Sequence, residues 1–510
     1  NIHPTHRSQL DAIQLLSIAT CPVIKKHGID AILEPFLDDL KCLERDEGYQ
    51  FQINGTCQTL RGTIAFVCGD NLGSQLIGGF KEGANARHRC RHCMGSIPDI
   101  QTKFREILFH LRTKVGHDYQ CDIVEREPGS GIIYGINRRS SLCNSHYFHV
   151  IGVLPADSMH DILEGVLQYE CKEMLKIFIN EDSYFTLKEL NDRIKDFDYG
   201  YYNDKNQPSQ ISSLTLNNNS NSVKQKAAQM WCLGKFLPLI VGNRIPDDDE
   251  RWQLFIMLLE IVDIVFSPIA SEESVGILQG LIEEHHEIFI NLYPGRSVTP
   301  KMHYKIHFPT QILQLGPMVR SWCMRYEAKH RYFKQLAGVM GNFTNVAYTL
   351  AERYQRLQCL KVSPTGNNNE EFLCKPVEIG SGQTVAAGDT DYFDLSLEQE
   401  VEIHYTSILY ESTNVIIDGI KYKVNDVLII NMDEDLPEFG SIHKIIVFAD
   451  KCIYFLVTKF KTIEHNRHYH VYEVRREIRP EQVLLRPNTM PNYMPMHTVK
   501  PYGSSQRNGA

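Results

Sequence analysis

Apolar and polar positions alternate along this chain with two different periods, and the change of period divides it. Residues 12–19 (AIQLLSIA) form a short apolar run and read as a buried strand, and 29–47 carry apolar positions at helical spacing before ending in charge. Residues 50–53 and 59–68 read as strands, the second running into Gly69-Asp70-Asn71. A helix is expected over 72–80, with Gly78-Gly79 near its end, and another over 101–115. From 157 to 295 the period is helical almost throughout, with helices expected to about 180 and over 183–196, 222–240, 250–267 and 272–292. The Asn/Ser-rich stretch 216–222 reads as a mobile loop between them. Helix resumes over 309–316 and 324–360. Beyond a Gly/Asn-rich linker at 362–400 the period shortens. VEIHYTSILY, KYKVNDVLII, GSIHKIIVF, KCIYFLVTKF and YHVYEVR read as strands of a separate antiparallel barrel or sandwich. The tail from 488 reads as disordered.

Length changes this picture only by requiring several domains: 510 residues exceed what one hydrophobic core supports. No uninterrupted apolar run reaches membrane-spanning length, and no charged-then-apolar leader opens the sequence. The 14 cysteines are scattered, as in a reduced, intracellular protein. The net charge of −9 argues against a protein that coats DNA through its overall charge, but local charge differs. Between Arg296 and Lys361 the only acids are Glu327 and Glu352, against eleven lysines and arginines.

Candidate chemistry sits on five short stretches. Asp70 ends an apolar strand, where a rigid backbone can aim a carboxylate at a metal ion; the same Gly-Asp-Asn also reads as a polar turn. Cys90 and Cys93 have the spacing of half a zinc site, with Arg87, Arg89 and Arg91 around them to meet phosphate. His303 and His307 lie one helical turn apart and can complete a Cys₂His₂ set; His285-His286 competes but sits on an acidic helix. Glu327 stands among Arg325, Lys329, Arg331 and Lys334, either as a metal ligand in a DNA-binding helix or as one half of a surface ion pair. Asp157 and His160 read as ligands or as a helix cap with a first-turn histidine.

Taken in order, the strand ending in Gly-Asp, the CRHC about twenty residues on, DSMHDILEGV, VKQKAAQMWCL, the histidine pair and RYEAKHRYFK resemble cut-and-paste DDE transposases of the CACTA/EnSpm type. The related Transib transposases and the catalytic subunit of the V(D)J recombinase share the order. The resemblance covers roughly residues 1–360 and implies an α/β RNase H-like core with a large all-α insertion, followed here by a small all-β, SH3-like domain. On that pattern 1–156 is the core, 157–300 the insertion, 301–361 the core's completion, 362–400 a linker and 401–487 the β domain. Asp70 would be the second catalytic acid and Glu327 the third, with His160 near them. Cys90, Cys93, His303 and His307 would hold a structural Zn²⁺, and Mg²⁺ or Mn²⁺ would serve the acids. The segments at 12–19, 29–47 and 59–68 match the third strand, first helix and fourth strand of that core, so the first acid would lie before Asn1. The implied setting is the nucleus, with double-stranded DNA as partner and a homodimer as the working form. The resemblance is compatible with an active transposase or with a domesticated, non-catalytic DNA- or chromatin-binding descendant.

Overall fold

A computed structural model describes residues 9–82, 86–341, 343–362, 377–401, 403–432, 436–448 and 452–503. These residues fall into two compact units. The first draws on residues up to 187, on 208–234 and on 248–362; the second on 188–207, 235–247 and 377 onward.

The first unit opens with helices α1 (Cys21–His27) and α2 (Asp30–Leu43), then a hairpin of β1 (Tyr49–Ile53) and β2 (Thr56–Leu60). Asn54-Gly55 forces that hairpin. Both residues hold positive φ, 50° and 80°, the conformation a two-residue turn needs, so Ile53 pairs with Thr56 and the second strand ends at Leu60. The strand expected over 59–68 is therefore displaced to 56–60. Residues 61–70 run on without a strand ladder, fastened by the Val67 N–H to the Val153 carbonyl (3.0 Å), with Ile64 and Val67 against a core that includes Leu37, Phe80, Ile136 and Leu154.

The expected strand at 12–19 is also absent. Its neighbourhood is held by side chains instead of a ladder: Lys329 donates to the Leu10 carbonyl (2.7 Å) and the Tyr354 hydroxyl to that of Ile13 (2.8 Å), while Leu16 stays 61 % exposed. The helix expected over 101–115 is reduced to a single turn at Glu106–Leu108. Backbone groups of 110–112 are taken by the cysteine loop, Met94 N–H bonding His110 O and Arg112 N–H bonding His92 O, and α4 (Lys114–Arg126) begins only after them. Helix α3 (Asn71–Gly78) falls where expected, capped by Asp70 at one end and by Gly79 (φ 77°) at the other.

The helical region matches its pattern closely. A π-helical segment, Met159–Val166, runs into α5 (Leu167–Asn180). In α8 (Glu250–Phe266) nearly every face is apolar, and the helix is buried accordingly. A capping box between Ser271 and Ser274 starts α9 (Glu272–Leu292). The Asn/Ser-rich loop is anchored where mobility was expected, since the Lys172 ammonium donates to the carbonyls of Asn218 (2.9 Å) and Ser220 (2.6 Å). Helices α10 (Pro300–Lys305), α11 (Phe308–Leu315), α12 (Met324–Met340) and α13 (Val346–Val362) complete the unit; Gly341 (φ 61°) divides the last two, which the pattern read as one.

The second unit is an all-β region with short helical additions from α6 (Leu187–Asp196) and the end of α7 (Ala227–Val241). Its main sheet has six antiparallel strands: β4 (Gly382–Ala386), β5 (Ile408–Ser412), β8 (Val427–Met432), β9 (Pro437–Val447), β10 (Ile453–Lys459) and β13 (Gln482–Leu485). Leu428, Ile442, Ile445, Phe455 and Val457 form its core. The expected linker is thus structured from Glu378, contributing β3 (Glu378–Ile379), β4 and a helix at Phe393–Glu398; 363–376 lie outside the described residues. The expected disordered tail is ordered to Gly503: Met496 bridges Val427, and the Tyr422 hydroxyl donates to Tyr493 O (2.6 Å). Residues 504–510 lie outside the described residues. No helix among the described residues is long and apolar enough to cross a membrane.

His285 and His286 are structural. His286 bonds the Ile282 and Met302 carbonyls and stacks on Phe104. His285 joins Glu170 (2.6 Å) and Lys305 (3.2 Å) in a fully buried chain, where burial pushes the Glu170 carboxyl up and the Lys305 ammonium down from their usual values. Removing one member leaves a buried partner without its hydrogen bond, so Lys305→Met is expected to lower the unfolding free energy by about 1–3 kcal/mol in urea titrations.

Candidate functional site

The sequence from Cys90 to Cys93 forms a tight loop. The His92 and Gly95 amides donate to the Cys90 and Cys93 sulfurs (3.3 and 3.4 Å), turning both thiols to one side. Gly95 is required there, because a Cβ would stand 2.8 Å from the Phe109 ring. Helix α10, started by Thr299 and Pro300, presents His303 to the same point, and His307 follows just beyond its end. Cys93 Sγ lies 3.3 Å from His303 Nε2, and Cys90 Sγ lies 3.4 Å from His307 Nε2. All four ligand atoms are within 4.8 Å of one another, and all four residues are buried. Two ligands on one tetrahedral zinc stand about 3.5 Å apart, so the set suits a structural metal such as zinc.

Behind the ligands, Glu106 accepts from His307 Nδ1 at 2.5 Å, leaving Nε2 for a metal. Against burial, the Cys93 hydrogen bond and the two imidazoles hold the Cys90 thiol well below its usual value. His307 is raised to about 9, again against burial, by the Cys90 sulfur and by Glu106. Protons are thus shared across the set in the way a metal ion would replace.

A second cluster lies around the π-helical segment. Asp157, buried, takes His160 Nδ1 on one oxygen and the Cys323 amide (3.0 Å) on the other. His160 Nε2 is 3.2 Å from Glu327 Oε1 and 3.8 Å from Glu164. Burial opposes charge on His160, but Asp157, Glu164 and Glu327 together raise its pKa. Asp70 is exposed, its side chain accepting from the Gly73 amide at 2.5 Å. Its charge adds to burial and Asp157 in raising the Cys323 thiol, one residue before α12. Asp70 therefore lies near Cys323, the residue that caps the helix carrying Glu327.

The two clusters are connected. Arg91, expected as a phosphate contact, is instead 2 % exposed, and its guanidinium donates to Leu154 O (2.9 Å), Pro155 O (2.6 Å) and Asn71 Oδ1 (2.9 Å). Asn71, next to Asp70, in turn donates to Asp161 (2.6 Å). Lys329 also departs from expectation: it is buried over the Tyr354 ring (4.7 Å) and committed to Leu10 O. Of the other residues expected to meet phosphate, Arg87, Arg325, Arg331 and Lys334 are exposed, and Arg89 is half-buried. Glu106 and Glu164 were not singled out by sequence. Glu164 follows His160 by four residues, a usable signal; Glu106 had none.

No protein-family model matches the chain, and no curated protein matches its sequence.

Replacing Cys93 by Ser is expected to remove about one equivalent of zinc by elemental analysis and to lower the melting temperature, because metal binding is coupled to folding. The neighbouring network gives a pH signature. Burial pushes the Asp161 carboxyl up to about 7, against the pull of Arg91 and Asn71. The folded state therefore holds this proton more tightly than the unfolded chain, and Asp161 lowers stability progressively as pH rises from about 4 to about 7. Asp161→Asn is expected to flatten that part of the stability–pH curve; an unchanged slope in urea unfolding at several pH values would argue otherwise.

Proposed function

We propose that this chain is a transposase-derived DNA-binding protein whose acid centre works with divalent ions. In this reading an RNase H-like core interrupted by a helical insertion carries Asp70 and Glu327, the Cys₂His₂ set holds zinc, and the C-terminal strands form an SH3-like barrel. The protein acts on double-stranded DNA in the nucleus as a homodimer.

The observation that carries the reading is the meeting of His160 with Glu327 at 3.2 Å, at the start of a helix whose capping residue, Cys323, feels the charge of Asp70. Two stretches far apart in the chain meet there, within the same compact unit that brings Cys90 and Cys93 to His303 and His307. A surface ion pair would need neither.

Mg²⁺ or Mn²⁺ would supply activation of a water or 3′-hydroxyl nucleophile and stabilisation of the leaving oxygen. The chain's own part is to hold carboxylates at Asp70 and Glu327. Exposed Arg325, Arg331 and Lys334 flank Glu327 on α12 and suit backbone phosphates. Two-metal cleavage draws on more carboxylates than these two, so binding and cutting separate experimentally. Binding without cutting favours the domesticated, non-catalytic alternative.

The full chain is expected to bind a DNA duplex with strongly salt-dependent affinity in fluorescence anisotropy. Reversing Arg325, Arg331 and Lys334 to Glu should weaken binding at least tenfold and reduce the salt slope by about 1 for each phosphate no longer neutralised. Any Mn²⁺-dependent nicking should disappear in Glu327→Gln. Unchanged affinity in the triple variant would sink the DNA-binding reading.

A further inference from the structure

We propose that Asp157 is the positioning residue of the acid centre: its one buried carboxylate fixes both the backbone and the side chain of Glu327. This rests on the reading of Glu327 as a divalent-ion ligand and adds to it the group that determines where Glu327 stands.

Asp157 is 2 % exposed and lies just before the π-helical segment. One oxygen, Oδ1, accepts from the Cys323 amide (3.0 Å) and the Met159 amide (3.3 Å). The other, Oδ2, holds His160 Nδ1. A buried carboxylate is tolerated only when hydrogen-bonded, and here donors from three residues converge on it. Two routes then lead to Glu327. Along the backbone, Cys323 is the residue that starts α12, and its carbonyl accepts the Glu327 N–H at 2.9 Å. Along the side chains, His160 turns Nε2 to Glu327 Oε1 at 3.2 Å because Nδ1 is engaged by Asp157. A negative charge at the start of α12 is also favoured by the helix's own dipole. The Asp157–Cys323 bond spans 166 residues of sequence, so it is a tertiary clamp and not a local cap.

Glu327 is otherwise weakly held. Its side chain is half exposed, and α12 buries only Lys329 among its own residues. Without the clamp, the first turn of the helix would be free to fray, and the carboxylate would sample positions away from His160.

Two substitutions separate the routes. Asp157→Asn keeps an oxygen for the Cys323 amide but presents an N–H to His160 Nδ1, which must then give up its proton and leave the ring protonated on Nε2 alone. Asp157→Ala removes both routes. The experiment uses the full zinc-loaded chain with three readouts: Mn²⁺ affinity by water-proton relaxation, histidine ¹⁵N spectra, and amide exchange over 323–328.

Asp157→Ala is expected to weaken Mn²⁺ binding at least tenfold, as Glu327→Gln does, and to speed exchange of the first-turn amides at least tenfold, with zinc content retained. Asp157→Asn should remove the proton from His160 Nδ1, leaving it on Nε2 alone, with a smaller, few-fold loss of Mn²⁺ affinity. Wild-type Mn²⁺ affinity and wild-type exchange in Asp157→Ala would overturn the proposal. If Glu327→Gln itself leaves Mn²⁺ binding unchanged, the metal-centre reading fails; the exchange rates then decide the clamp, faster exchange upholding it and unchanged exchange overturning it. If Asp157→Ala does not fold, the His160 ring in Asp157→Asn decides: loss of the Nδ1 proton supports the clamp, and an unaltered ring refutes it.

Discussion

Four soft and borderline ligands drawn from two distant stretches, Cys90 with Cys93 and His303 with His307, converge in the interior of the first unit. Such a convergence is unfavourable without an ion: buried thiols and imidazoles crowd within 4.8 Å and must divide their protons unevenly. An ion of tetrahedral preference removes that conflict and ties the cysteine loop to the helix pair at the end of the helical region. Much else is referenced to this knot. Arg91, inside the loop, fixes Leu154, Pro155 and Asn71, and those residues border Asp70 on one side and Asp157 on the other.

The acid centre is built by a different rule. Its acidic members range from fully buried to exposed, and each grade of burial has its own task. Asp161, with no exposure, is pushed by burial toward its neutral form and hydrogen-bonds Asn71. Asp157 is an acceptor at a junction of two elements. Glu327 and Asp70 remain open to solvent, the condition for meeting an ion or a phosphate. The π-helical winding of Met159–Val166 carries His160 between these layers, and π segments of this kind are frequent at functional sites.

The helices were legible wherever their boundary chemistry was local. Asp249, Ser271 and Asp70 each cap the helix that follows, and the periodicity after them is unambiguous. The four-residue Cys/His set was suggested by two short spacings and singled out by the family resemblance, and the structure brings all four residues together. What could not be read were features decided by long-range partners. The apolar runs at 12–19 and 62–68 have the composition of strands but no ladder among the described residues. Residues 101–115 were expected to be helical, yet the cysteine loop takes the backbone groups of His110 and Arg112. The withdrawal of Arg91 and Lys329 from phosphate binding has the same origin: sequence reports a basic side chain, and only the fold reveals that its donors are already committed. Asp157 was visible only as a possible ligand or cap, because the amide it holds is that of Cys323.

The second unit has a discontinuous make-up, and this sets an order on events during synthesis. Residues 188–207 and 235–247 emerge from the ribosome well before the strands of 377–503, yet they belong with those strands. Arg193 is closed around Ile240 O and Asn243 and stacks on Tyr502; Tyr202 bonds Lys421 O. The contacts that these early segments make with Tyr502 and Lys421 therefore wait until translation is nearly over. Chains usually fold their N-terminal parts first, and exposed apolar surface invites wrong pairing in the interval. In this protein the vulnerable period is long by construction, and chaperone cover during elongation would matter most between the appearance of α6 and that of β13.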